Sequence, residues 1–194
     1  MTTEPLTAAE KLFLLRLARQ SIEAAVNRQP LPTLPPAHLT PALQAQGAAF
    51  VTLTLGGGLR GCVGALEPYQ PLAEDVCEHA VAAALEDYRF PPVRAHEVPR
   101  LHIEISRLTL PQPLDYATPA DLLHRLRPRV DGVILRDGMR RATFLPQVWD
   151  QIPDPAEFLA HLCQKMGAAP NLWQTKPLTV LIYQVEEFEE PAGE

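Results

Sequence analysis

Phe50-Val-Thr-Leu-Thr-Leu-Gly-Gly-Gly-Leu-Arg-Gly-Cys-Val-Gly64 is the stretch whose reading decides the fold. Val51, Leu53 and Leu55 alternate with Thr52 and Thr54, the period-2 pattern of a half-buried strand. Gly56 to Gly58 ends that strand, and Leu59 to Gly64 reads as a strand returning beside it, so the stretch is a β-hairpin. Five glycines and one cysteine share the nine positions Gly56–Gly64. Glycine loses more conformational freedom on folding than any other residue, so turn geometry or a close approach must demand it. The three successive glycines superficially resemble a phosphate loop. No GxxxxGK[ST] pattern is present and no helix starts directly after them, which favours a tight turn.

Outward from the hairpin, Thr7-Ala-Ala-Glu10 is a capping box, in which each side chain can satisfy the other's free backbone N–H. Leu12, Leu15, Ile22, Ala25 and Val26 follow at helical spacing and stop before Pro30. Pro30, Pro32, Pro35, Pro36 and Pro41 then make an extended arm, since each fixes its own φ and restrains its predecessor. After the hairpin, Pro71 at a first helical position opens a helix over Leu72–Glu86. Its stripe of Leu72, Val76, Ala80, Ala83 and Ala84 is small enough to pack closely on the hairpin.

Asp87-Tyr-Arg-Phe-Pro-Pro-Val93 is a rigid loop carrying charged and aromatic groups. Leu101, Ile103 and Ile105 alternate with His102, Glu104 and Ser106, a strand with one polar face. Thr118-Pro-Ala-Asp121 starts a short helix, and Gly132–Phe144 reads as a second hairpin, with a type I′ turn at Asp137-Gly138. Asp154-Pro-Ala-Glu157 starts another helix, stopped at Gly167. Leu178–Val185 reads as a final strand and Glu186–Glu194 as a solvated acidic tail. With two hairpins and no regular βαβ alternation, the class is α+β with a largely antiparallel sheet and flanking helices.

The 194 residues carry a formal charge of -6, which removes the electrostatic basis for nucleic-acid binding. Arg125, Arg127, Arg129, Arg136, Arg140 and Arg141 lie close in sequence, and a solvated, ion-paired face is the favoured reading of such a run. Three cysteines without a CxxC pair argue against a disulfide framework. No apolar run reaches the ~18 residues of a membrane span, and the N-terminus lacks a signal pattern. The expected location is the cytoplasm, with no membrane and no nucleic acid among the partners.

Cys62, flanked by glycine and preceded by Arg60, is the sharpest chemical candidate, because a nearby cation and backbone N–H groups favour a thiolate. The competing reading is a small buried hydrophobe, a common fate of free cysteine. The histidines show no HxxxH or HExxH spacing and imply no metal. A site drawing Cys62 together with His102 and Glu104 stays open. Asp87 and Arg89 bracket Tyr88 and either close the loop by a salt bridge or bind a substrate carboxylate.

Leu59-Arg-Gly-Cys-Val-Gly64 closely resembles the hallmark hexapeptide of the AMMECR domain family, Leu-Arg-Gly-Cys-Ile-Gly, with valine at position 63 for isoleucine. Arg89-Phe-Pro-Pro-Val93, Ile103-Glu-Ile-Ser106, Thr143-Phe-Leu-Pro-Gln-Val-Trp149 and His161-Leu-Cys-Gln-Lys-Met-Gly167 with Trp173 extend the likeness to its prokaryotic branch, AmmeMemoRadiSam system protein A. The resemblance implies one domain over residues 6–189, in a larger and a smaller lobe with the hexapeptide near the cleft between them, and an acidic tail at 190–194. It names no cofactor or reaction. It implies association with a Memo-like protein and a radical S-adenosylmethionine protein. The glycine-bracketed cysteine itself motivates a small-molecule enzyme or enzyme component, in which Cys62 and Arg60 are catalytic and Gly61, Gly64, Asp87, Arg89 and Glu104 bind substrate or partner. The alternative is a non-catalytic adaptor using the same hairpin surface.

Overall fold

The computed structural model describes residues 4–191. In chain order its main elements are α1 (Ala8–Val26), α2 (Pro41–Gln44), β1 (Gln46–Leu55), β2 (Gly58–Gly64), β3 (Gln70–Pro71), α3 (Leu72–Leu85), β4 (Leu101–Leu108), β5 (Gln112–Pro113), α4 (Pro119–Arg125), β6 (Gly132–Asp137), β7 (Arg140–Phe144), α5 (Pro155–Lys165), α6 (Leu172–Thr175), β8 (Thr179–Tyr183) and β9 (Val185–Glu189). They form two compact units, one made of the chain through Leu108 together with the chain from Glu186, the other of Thr109–Val185. The class is α+β, with antiparallel pairing of β1 to β2, β3 and β4 and of β6 to β7 and β8.

In the first unit the strand order is β2-β1-β4-β9, with β3 beside the start of β1. Val51, Leu53, Ile103 and Ile105 are fully buried with Leu14, Ile22, Leu72, Val76 and Ala80 in one core, so α1 and α3 cover one face of the sheet. Each such fully buried large side chain is worth about 1.5–3 kcal/mol. α1 starts as the capping box dictates: Thr7 Oγ1 accepts the Glu10 N–H and Glu10 Oε2 accepts the Thr7 N–H. Pro71 lies one position outside the expected site. It caps α3 in extended conformation while pairing with Gln46 of β1. Inside α3, Asp75 is fully buried and its carboxylate accepts the Ala49 N–H at 2.8 Å, in the gap between β2 and β3 along the edge of β1. His79 Nδ1 lies 3.2 Å from the same carboxylate. Burial opposes charge on the imidazole, yet Asp75 outweighs it and holds the His79 pKa above its ordinary value.

In the second unit the order is β5-β8-β6-β7. Its core is centred on Trp149, stacked on Phe158 at 3.6 Å between ring centroids, with the indole N–H donating to the buried Asp131 carbonyl at 2.7 Å. Thr118 and Asp154 cap α4 and α5 as their positions predict. The arginine run is largely ion-paired: Arg125 to Asp121, Arg127 to Asp131, Arg129 to Asp150 and Arg140 to Asp137.

Two expectations are corrected. The second hairpin pairs Asp137 with Arg140, so its turn is Gly138-Met139, and of these two only Gly138 has positive φ. That is the requirement of a type II′ turn rather than type I′. The chain after Leu178 is not one strand and a solvated tail, because β8 and β9 separate at Gln184 and β9 pairs β4. Glu186 ion-pairs Lys11 and the buried Arg107, and Glu190 ion-pairs Arg19 and accepts the Ile103 N–H. These carboxylates hold α1 and β4 to the last strand. Residues 192–194 of the expected tail lie outside the described residues.

Candidate functional site

A β-bulge decides where Cys62 sits. The turn Gly56-Gly57, both at positive φ, closes Leu55 onto Gly58. Unbroken pairing from that turn would set Cys62 opposite Val51 and aim it into the core. Instead the register shifts at Leu53/Thr54, with Thr54 opposite Leu59 and Leu53 opposite Gly61, which leaves Arg60 as the extra residue. Because side chains alternate with period 2, a one-residue shift moves every later side chain to the other face. Gly61 is thereby set against α3, where an added Cβ would lie 2.1 Å from the Ala83 carbonyl oxygen. Cys62 is set on the opposite face, across from Thr52, where both are half-buried.

Thr52 is also paired with Glu104 on β4, so Cys62, Thr52 and Glu104 form one cross-strand row on that face. Thr52 Oγ1 donates to Cys62 Sγ at 3.3 Å. Cys62 is half-buried, whereas Cys77 and Cys163 are buried, with Cys77 against Ser21 Oγ at 3.1 Å. Burial pushes the Glu104 carboxyl above its ordinary range, with Glu187 and Glu189 adding to the shift and His102 opposing it. His102 bonds Glu189 at 3.0 Å rather than joining Cys62.

β2 is an edge strand, and the main chain of Cys62 is held on its open side. Asp87 Oδ2 accepts the Cys62 N–H at 2.9 Å, and Arg89 Nη2 donates to the Cys62 carbonyl at 3.1 Å. The two side chains join through Arg89 Nε to Asp87 Oδ1 at 2.9 Å and Nη2 to Oδ2 at 2.6 Å. Together they supply the acceptor and donor that a neighbouring strand would provide. The Arg89 guanidinium and the Cys62 N–H hold the Asp87 carboxyl far below the usual carboxylate range, against the effect of burial. The loop carrying them is anchored by Val93, whose N–H bonds Ala84 at the end of α3, and by the Arg89 guanidinium over the Phe90 ring. Tyr88 between them is 95% exposed.

The structure therefore brings Cys62, Asp87 and Arg89 into contact, with Glu104 in the same row. Gly61 and Gly64 have packing roles: a Cβ at Gly64 would lie 2.5 Å from the Ala49 carbonyl oxygen. Arg60 does not reach the sulfur as a hydrogen-bond donor. It donates to both Glu97 carboxylate oxygens, at 3.0 and 3.2 Å, and pulls the Glu97 pKa down to about 2 with help from the Arg94 N–H. Arg60 Nη1 is buried without a hydrogen-bond partner. Sequence reading missed Thr52 and Glu97. Thr52 had a signal, as the polar residue nearest the middle of β1, but its pairing with Cys62 depends on the bulge. No group of three metal-ligating side chains occurs among the described residues, and no helix there is long and apolar enough to cross a membrane.

The fold and the chain as a whole have counterparts among known proteins. The AMMECR1 family profile matches residues 15–188, and the chain belongs to that family. A protein of Thermofilum pendens is 37% identical over 202 residues, spanning 97% of this chain and 94% of its own. A protein of Methanothermobacter thermautotrophicus is 37% identical over 193 residues, spanning 98% and 99%. The crystal structure of the uncharacterized protein PH0010 from Pyrococcus horikoshii is similar at a TM-score of 0.79 and 33% identity, covering 95% of this chain and 93% of that one.

Proposed function

We propose that the Cys62–Thr52–Glu104 row is the working surface of a small-molecule enzyme or enzyme component. The observation that carries this reading is the bulge, which costs β2 its regular ladder and turns the one half-buried cysteine away from the core. In this reading Cys62 is the nucleophile and Thr52 fixes its sulfur. Glu104, two strands away at roughly 10 Å by strand spacing, is the acid/base group on the far side of a bound molecule. The protein then acts in the cytoplasm, where its thiols stay reduced, as the AmmeMemoRadiSam system protein A of a pathway shared with a Memo-like and a radical S-adenosylmethionine protein.

A chloroacetamide panel with neutral, anionic, cationic and aromatic bodies tests the site. The expected result is that one body modifies Cys62 at least tenfold faster than its reactivity toward free cysteine predicts, and that Glu104→Gln reduces this preference. A panel order equal to that for free cysteine contradicts the reading.

The exposure of Tyr88 at the tip of the Asp87–Arg89 clamp favours a second reading, a partner-binding surface. Co-purification with the Memo-like protein that is lost on Arg60→Glu and kept by Cys62→Ser would support it. Association that survives both substitutions contradicts this version.

A further inference from the structure

The first unit holds a concavity of about 620 Å³ between α1 and the segment leading into β4, lined among others by Leu12, Leu15, Arg16, Pro99, Arg100 and Leu101. That volume is within the roughly 300–1,000 Å³ range of small-molecule sites. Leu15 and Leu101 are nearly fully buried and form an apolar floor, while Leu12 at the side is 42% exposed. Arg19 also lines the cavity, but its charge is spent. It ion-pairs Glu190 and donates to the carbonyls of Val98 and Leu101, at 3.0 and 2.8 Å. His102 is likewise engaged, with Glu189.

Arg16 and Arg100 differ. Both are exposed on the lining, and among the described residues neither guanidinium has a hydrogen bond or ion pair. Setting Arg19 against Glu190 leaves these two cations opposed in the lining by Glu23 alone. The cavity thus carries a net charge near +1 in a chain whose formal charge is -6. Guanidinium forks match carboxylate geometry. A single excess positive charge matches a monoanion rather than a phosphate dianion.

We propose that this cavity binds a small carboxylate-bearing molecule with an apolar body, the carboxylate on Arg16 and Arg100 and the body on Leu12, Leu15 and Leu101. The site uses none of the residues around Cys62 and stands or falls independently of them.

Octanoate is the probe, followed by methyl NMR on the full chain with acetate and 1-octanol as partial mimics. Octanoate is expected to shift the Leu12, Leu15 and Leu101 methyls saturably, with acetate and 1-octanol each binding at least tenfold more weakly. Arg16→Gln combined with Arg100→Gln should weaken octanoate at least tenfold at unchanged Tm, since both side chains are exposed. Leu12→Glu should abolish the methyl shifts at Leu15 and Leu101. The proposal is overturned by absence of saturation, by 1-octanol binding as well as octanoate, or by unchanged binding in the arginine variant.

Discussion

Gly61→Ala is expected to remove about 3 kcal/mol or more of stability. The new Cβ would lie 2.1 Å from the Ala83 carbonyl oxygen and 3.0 Å from its carbonyl carbon. Both are backbone atoms of α3, so no side chain can swing aside and the helix must leave the sheet. Overpacking a core typically costs about 1–3 kcal/mol and more where backbone has to move. Against total stabilities of about 5–15 kcal/mol this is a large fraction. Denaturant unfolding followed by circular dichroism measures it. A loss below about 1 kcal/mol would show that Gly61 does not face the helix and that the bulge is misplaced.

The second large effect is expected at Asp87. Its side chain is 4% exposed and serves both the Cys62 N–H and the Arg89 guanidinium. Asp87→Ala leaves the part-buried Cys62 N–H and the Arg89 guanidinium without their acceptor, for an expected loss of about 2 kcal/mol. Asp87→Asn keeps an acceptor oxygen and should lose less. The pH dependence has a definite sign. Because the folded pKa is depressed, the carboxylate's contribution is complete above its unfolded value of about 4 and fades only as the pH falls through the lower folded value. The wild-type and Asp87→Ala curves should therefore run parallel from pH 5 to 9 and converge in strong acid. A gap that closes near neutrality, or a loss within 0.5 kcal/mol, contradicts the clamp.

Much of this was legible from residue patterns. The Thr7–Glu10 box, the small-residue stripe of α3 and the Asp154 cap each depend on neighbours within a few positions and formed as read, and the turn expected over Gly56–Gly58 closes at Gly56-Gly57 with Gly58 already in β2. What stayed hidden depends on distance along the chain. Val185-Glu-Glu-Phe-Glu189 looks like a tail because its acids are dense, yet Glu186 and Glu190 meet arginines 79 and 171 positions away. The bulge was equally invisible, since nothing local to Arg60 shows that it is the extra residue. Without it Cys62 falls on the core face and the buried-hydrophobe reading would hold. Asp75 escaped notice because a fully buried acid within an apolar helical stripe shows its purpose only once Ala49 is beside it.

If the bulge and clamp present the Cys62 sulfur as a working thiol, peptide-resolved alkylation of the native protein by iodoacetamide shows it most directly. Cys62 is expected to react at least tenfold faster at pH 8 than Cys77 and Cys163, which are 8% and 0% exposed. A Cys62 that stays unmodified at pH 9, while circular dichroism shows the protein folded, would contradict it.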